Sequence, residues 1–391
     1  MKISAVRATP VAVPFRADEQ WAFGSRRGLV SVLLELDTDE GVTGLGEAAA
    51  YPSAGIVLAV LNSIEPFVTS ENPFAIEKMM RRIQVVGTWH HVKATSPAIA
   101  AIEMACWDIV GKVCGQPLVN LSGGPVRDQV EFFCYVSQTS PDQIAAEGRR
   151  GREHGYRTFY LKIGSDDPGA DIDRVEALRH GAGPGAQLRV DANEAWSPGT
   201  AVRVVHALER FGLELVEQPV SGRNLAEMAY VRSKIDTPLL ANEASWTRFD
   251  QLEVIRAGAA DVISVDNQMD AGLLNMKRSA GICEVAGLPV LKHSLGELGV
   301  AVYAGVHVMA STPNFLCANQ SYGALLTDDD VAGVDTLPYH DGALAVPHAP
   351  GIGVQLDRDR IAKHAELYEQ EAANFDFHDA HAIEGAYLPK R

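Results

Sequence analysis

Tyr160-Leu161-Lys162, Val190-Asp191-Ala192-Asn193, Glu217-Gln218-Pro219, Asn242-Glu243, Val265-Asp266-Asn267 and Lys292-His293-Ser294 decide the fold. Each closes or follows a short apolar run. From Lys162 to Asp191 is 29 residues, then 26 to Glu217, 26 to Glu243, 23 to Asp266 and 27 to His293. One strand, one helix and two short loops consume about that much chain. A polar residue therefore recurs once per βα unit, at the same place in the unit. Such a series predicts a ring of side chains at the C-terminal ends of barrel strands, where barrel enzymes keep their chemistry.

Working outward, strand-like runs fall at 130–136, 158–163, 187–190, 215–216, 239–241, 262–265, 290–291 and 315–316. Helical segments alternate with them, for example 171–180, 198–210 and 272–286. Eight such units favour an α/β barrel over an open doubly wound sheet. No glycine-rich phosphate loop follows the first strand of any unit, which weakens a dinucleotide-binding reading. Upstream, residues 1–15, 29–37 and 42–47 read as a three-stranded meander turning at Asp39-Glu40-Gly41, with 16–28 as a polar loop. Residues 54–118 take a helical period, with Pro97 at a helix start. The expected organisation is an α+β domain over 1–125, a barrel over 126–330 and a C-terminal segment over 331–391. That segment carries a strand after Gly353 and packs back on the N-terminal domain.

Bulk properties narrow the function. The chain has 391 residues, a net charge of -16 and 47% hydrophobic residues, with a mean hydropathy of -0.02. No basic cluster suits nucleic acid, and no apolar run is long enough to span a bilayer. Five dispersed cysteines without CxxC spacing read as reduced thiols of a cytoplasmic protein. An acidic protein that handles an anionic substrate must hold it with a local cation, such as a metal.

Asp191, Glu217 and Glu243 are three carboxylates from successive units. Gathered at one barrel mouth they repel unless neutralised. An all-oxygen set without Cys or His favours Mg²⁺, which keeps open positions for a substrate carboxylate. Taken singly, each is an ordinary exposed loop acid; three at matched positions are not. Lys162 ends a strand, and beside a dication it can serve as a general base. Asp266 and His293 come from adjacent units, so a carboxylate can orient an imidazole, a common acid–base arrangement. Tyr160, Asn193 and Asn319 are candidate substrate contacts, and Lys292 alternates to the other side as a structural residue. In the 16–28 loop, Trp21, Phe23 and Arg26 are candidates for closing over the substrate, together with the segment around Tyr51. The arginine would pair a distal carboxylate and the aromatics would cover an apolar group.

These residues carry a resemblance covering nearly the whole chain. Residues 100–112 (AIEMACWDIVGK from Ala101), followed by Gln116-Pro117-Leu118, together with the Val190, Glu217 and Asn242 motifs, resemble the enolase superfamily, in its mandelate racemase/muconate lactonizing group. The resemblance implies a modified (β/α)8-type barrel under an α+β capping domain built from the N-terminal region and the C-terminal tail. It implies Mg²⁺ on Asp191, Glu217 and Glu243, abstraction of the proton α to a carboxylate, an enediolate intermediate and a homo-oligomer. Asp266 with His293 is similar to the mandelate racemase type, and Lys162 matches the second lysine of its Lys-x-Lys motif. Tyr160 replaces the first lysine. The stretch 315–320 lacks the glutamate electrophile of mandelate racemase, which leaves Asn319 or Gln320 as possible donors. The Asp–His arrangement is commonest among acid-sugar dehydratases of this type, so the resemblance implies a dehydratase of a small carboxylate substrate first and a racemase or epimerase second, with a cycloisomerase as a further alternative. A non-catalytic barrel is the contrasting class.

Overall fold

The computed structural model describes residues 1–22, 24–85, 91–137, 139–327 and 338–375. Phe23, the segment 328–337 and the last residues, all part of the expectations above, lie outside them.

An antiparallel meander opens the chain: β1 (Ile3–Trp21), β2 (Gly24–Thr38) and β3 (Thr43–Ala49). Gly41 at φ +79 makes the turn before β3 and donates its N–H to Thr38 O. Residues 16–28 are not a loop. β1 and β2 continue past a register shift at Pro14, pairing Glu19 with Arg26 and Trp21 with Gly24. The polarity of this stretch suggested a loop, but the inward-facing charges are buried as a pair on a two-stranded ribbon.

The helix Val92–Cys114 lies on β3. Pro97 falls inside this helix rather than at its start. Contact is close because β3 presents glycine: a Cβ on Gly46 would stand 2.0 Å from Ala101 O. That atom is backbone and cannot yield. Gly46→Ala is expected to lose at least about 1–3 kcal/mol of stability, measured by denaturant titration.

The second sheet is parallel and has seven strands in the order β11-β10-β9-β8-β7-β6-β5. After the short β4 (Gln129–Glu131) come β5 (Cys134–Val136), β6 (Thr158–Lys162), β7 (Gln187–Asp191), β8 (Leu213–Glu217), β9 (Leu239–Ala241), β10 (Val262–Val265) and β11 (Val290–Lys292). A helix joins each strand to its neighbour. The run expected as one strand at 130–136 is thus two. β4 pairs instead with β12 (Ala343–Ala345) of the tail.

The expected eighth strand is an irregular segment that nonetheless closes the ring. Val290 donates to Asn314 O at 3.0 Å, Gln320 to Lys292 O at 2.9 Å, and Phe133 to Asn319 O at 3.0 Å. The Asn319 side chain acts as substitute backbone: Oδ1 accepts from Lys292 N at 2.7 Å and Nδ2 donates to Glu131 O at 3.0 Å. Asn319 is therefore tied into the wall and does not face a substrate.

After Gly353 the tail forms a helix, Arg358–Phe375, not a strand. It packs on β1 and β2, with His364 Nδ1 2.8 Å from Ala12 O and Arg358 paired with Glu35.

Buried carboxylates join the N-terminal part to the barrel. Glu47 of β3 accepts the N–H groups of Leu298 and Ala301, at the start of the helix Gly299–Ala310. Glu103 accepts those of Leu273 and Leu274 at 2.8 and 3.0 Å, at the start of Leu273–Val285. Neither helix has a side-chain cap of its own, so these acids satisfy donors that would otherwise be orphaned. Burial nevertheless pushes Glu47 and Glu103 up to about 7. No helix among the described residues is long and apolar enough to cross a membrane.

Candidate active site

In-register pairing places Lys162, Asp191 and Glu217 in one row at the C-terminal ends of β6, β7 and β8. Glu243 follows the end of β9 by two residues, and Asp266 and His293 directly follow β10 and β11. The turns that aim them are built locally. Gln218, at φ +35, accepts N–H bonds from Asn242 and Ala244 on Oε1 and donates to Val220 O, so one turn fixes the next around Glu243.

The carboxylates and Lys162 form one buried network. Lys162 Nζ and Tyr160 OH both donate to Asp191 Oδ2 at 2.5 Å, and Asn193 N donates to Oδ1 at 2.8 Å. Asn193 also accepts from Lys162 at 2.8 Å and donates to Glu243 Oε1 at 2.9 Å. Burial, then the charge of Asp191, pushes Glu217 far above the usual carboxylate range and Glu243 up to about 8. Burial works against the charge of Lys162, but Asp191 together with Tyr322, Glu217 and Glu19 outweighs it and the ammonium is held above the ordinary lysine range.

Glu243 Oε2 is buried without a hydrogen-bond partner. Three neighbouring carboxylates, one with an orphaned oxygen, fit a hard divalent cation in charge and donor type. Among the described residues no group of three acidic, histidine or cysteine side chains converges tightly enough to ligate an ion. The hydrogen bonds explain this: Asp191 Oδ2 is turned to Lys162 and Tyr160, and Glu243 Oε1 to Asn193. An ion would compete with these partners.

His293 Nδ1 lies 3.2 Å from Asp266 Oδ2. With the Asp266 carboxylate as acceptor, Nδ1 is the donor of this bond, and in the neutral ring Nε2 is then the basic nitrogen. Asp266 is fully buried and its Oδ1 accepts Gln268 N at 2.5 Å.

A cavity of about 110 Å³ brings the sets together, lined by Lys162, Asn193, Glu243 and His293 from the barrel and by Trp21, Arg26 and Tyr51 from above. Tyr160 is not in its wall. It sits one layer deeper, fully buried, stacked on Phe133 at 4.6 Å, and supports Asp191 rather than touching substrate. Arg26 does line the cavity, but Nε donates to Glu19 at 2.6 Å and Nη2 to Tyr322 OH at 2.7 Å, so its charge is already matched. Glu19, fully buried, also accepts from Tyr135 OH. Glu19, Tyr322 and the cavity residues Trp246 and Met269 escaped the sequence reading. Only Glu19 left a trace there, as an acid facing Arg26 across a short turn.

The domain model "Mandelate racemase / muconate lactonizing enzyme, N-terminal domain" matches residues 3–123, and "Enolase C-terminal domain-like" matches 143–360. The chain belongs to the enolase superfamily, in its mandelate racemase/muconate lactonizing group. The L-Ala-D/L-Glu epimerase of Bacillus subtilis strain 168 is 30% identical over 364 residues, covering 90% of this chain and 97% of that protein. The N-succinyl-L-Arg/Lys racemase of Bacillus cereus ATCC 14579 is 27% identical, covering 92% and 97%. An enolase from Thermobispora bispora, solved with magnesium and formate, superposes with a TM-score of 0.91 at 30% identity, covering 100% of this chain and 99% of that one. The modified barrel is thus common to this enolase-superfamily member and its neighbours.

Proposed function

We propose that this enzyme moves the proton α to a carboxylate and that its reaction is a racemisation or epimerisation. The observation that carries this reading is the wall of the cavity. Two proton carriers, Lys162 and His293, enter it from the well-separated strands β6 and β11, and Trp21, Tyr51, Trp246, Met269 and Leu295 give it an aromatic and apolar part beside the polar Asn193, Asn242, Glu243 and Ser294.

In one direction, His293 Nε2 removes the α-proton, the C–H electron pair passes into the carboxylate as an enediolate, and the Lys162 ammonium returns a proton to the opposite face. In the other, the roles exchange. Atoms balance, and no group leaves. Asp266 holds the imidazole in the tautomer this needs. Asp191 keeps Lys162 protonated as it stands, which suits it as the acid. A Mg²⁺ ion held by Asp191, Glu217 and Glu243 supplies the positive charge that makes so weak a carbon acid ionisable. The named activities of the epimerase and racemase relatives, and the magnesium of the solved neighbour, support the same chemistry.

Dehydration of an acid sugar is the second reading, favoured by the Asp266–His293 pair, which could protonate a departing hydroxyl. It ranks second here, reversing the order expected from that pair alone. A polyhydroxylated chain needs several hydrogen-bond partners; of the polar groups here Arg26 is matched by Glu19 and Tyr322 and Asn193 by Lys162 and Glu243, and the two relatives named above are an epimerase and a racemase. The test incubates the enzyme and Mg²⁺ in D₂O with enantiopure N-acyl amino acids, dipeptides and acid sugars. The expected result is α-proton exchange and stereochemical inversion of an amino-acid derivative without any product trapped by semicarbazide. A 2-keto acid formed from an acid sugar would replace this reading with the dehydratase, and no turnover of any class would favour a non-catalytic barrel.

A further inference from the structure

Lys292, read from the sequence as merely structural, is fully buried immediately before His293. Its Nζ donates to Glu297 Oε1 and, at 2.7 Å, to the carbonyl oxygen of His293. It also stands 4.0 Å from Asp266 Oδ2, the same oxygen that His293 Nδ1 approaches at 3.2 Å. The fold makes room for this stem: a Cβ on Gly305, inside the helix Gly299–Ala310, would lie 3.0 Å from Lys292 Cε. A glycine inside a helix is unfavourable by itself. Glu297 is also fully buried, and its Oε2 accepts from Ser294 Oγ at 2.8 Å.

We propose that Lys292 is a positioning residue for the Asp266–His293 pair, its ammonium sharing the Asp266 oxygen with the imidazole and fixing the backbone that carries it. A buried carboxylate with the imidazole as its only cation raises the proton affinity of that ring and so weakens its readiness to act as a neutral base. Lys292 takes up part of that negative charge. Glu297 in turn limits how much of the lysine's charge reaches Asp266. Burial opposes the ammonium, but Glu297 and Asp266 outweigh it and the charge is kept. The other charged groups around the pair are Glu47 and Asp270 on the protein side and Lys162, Glu243, Glu19 and Arg26 across the cavity.

The inference rests on the reading of His293 as a proton carrier, but its test needs no substrate. The full-length chain, labelled with ¹⁵N-histidine, is titrated by NMR, and the His293 signal is assigned by its absence in His293→Asn. In E297Q the lysine loses its strongest counter-charge and bears more on Asp266, so the His293 midpoint moves down. In the K292Q/E297Q double variant the cation is gone and a neutral hydrogen-bonding pair remains. There the midpoint moves up by about one pH unit, a tenfold gain in proton affinity. Opposite movements in the two variants are the expected result, since a purely structural pair would not produce them. Movement of both in the same direction, or a double variant that titrates with the wild type, overturns the proposal. If the double variant does not fold, an E297Q midpoint that stays in place or rises overturns it alone. Failure of the racemase reading would appear in the substrate assays and leave these titrations unchanged.

Discussion

His293→Asn stops α-proton exchange from one enantiomer of the substrate while the other enantiomer still exchanges. Asparagine fills the space and can hydrogen-bond to Asp266 but cannot carry the proton. Racemisation is therefore expected to fall by about 10²–10⁴-fold, the usual contribution of a positioned acid or base. Exchange at the face served by Lys162 needs no imidazole and survives. Lys162→Ala should give the mirror result. The measurement is deuterium incorporation into each pure enantiomer in D₂O. Equal losses for both enantiomers in both variants would remove the two-face scheme. Full activity of Lys162→Ala beside a dead His293→Asn would reduce it to a single base. The question is pointed because Tyr160 stands where the resemblance leads one to expect a second lysine. Its hydroxyl shares Asp191 Oδ2 with Lys162, so the tyrosine supplies a hydrogen bond to the carboxylate where a lysine would add a charge.

Glu217→Gln is expected to uncouple stability from activity. Without metal, Glu217 is buried beside the charges of Asp191 and Glu243. Gln keeps the shape and cannot ionise, so it removes the cost of holding neutral in the fold a carboxyl that ionises readily in the unfolded chain, and the thermal midpoint in EDTA rises. Activity with Mg²⁺ falls by more than the about 10–100-fold that loss of an outer-shell partner costs if Glu217 is the direct ligand proposed above. Added Mg²⁺ should raise the wild-type midpoint, since it binds only the folded site, and leave the variant nearly unmoved. Thermal scans of both proteins, with EDTA and with Mg²⁺, decide the matter. A wild type insensitive to Mg²⁺ would sink the assignment of the carboxylates as ligands. The opposed responses express a familiar conflict: a site prepared for an ion stores repulsion when the ion is away.

The ring was legible because a barrel repeats. Each βα unit presents its last residue to the same mouth, so Lys162, Asp191, Glu217, Glu243, Asp266 and His293 could be read from spacing alone. What stayed hidden depends on partners distant in sequence. The stretch 16–28 looked like a loop because Glu19 and Arg26 are charged, and only their pairing across the ribbon makes burial tolerable. Asn319 looked like a substrate donor because nothing local reveals that its amide fills in for a missing strand. Tyr160 was placed on the correct face but one layer too high, since alternation fixes side and not depth. Lys292 was assigned to the other side of its strand, and that side holds the back of the Asp266 carboxylate.

Glu47 and Glu103 bear on how members of this group can be recombined. Each is encoded in the first third of the chain, yet each completes the start of a helix encoded in the last third. A chimera that takes its whole N-terminal part from one relative and its barrel from another would inherit only one half of each match. Buried amide groups would lack acceptors at one helix start, or a buried acid would lack donors. Transplanting the ribbon between Phe15 and Arg26 alone leaves both matches intact, which makes that hairpin, and not the whole N-terminal part, the natural unit of exchange.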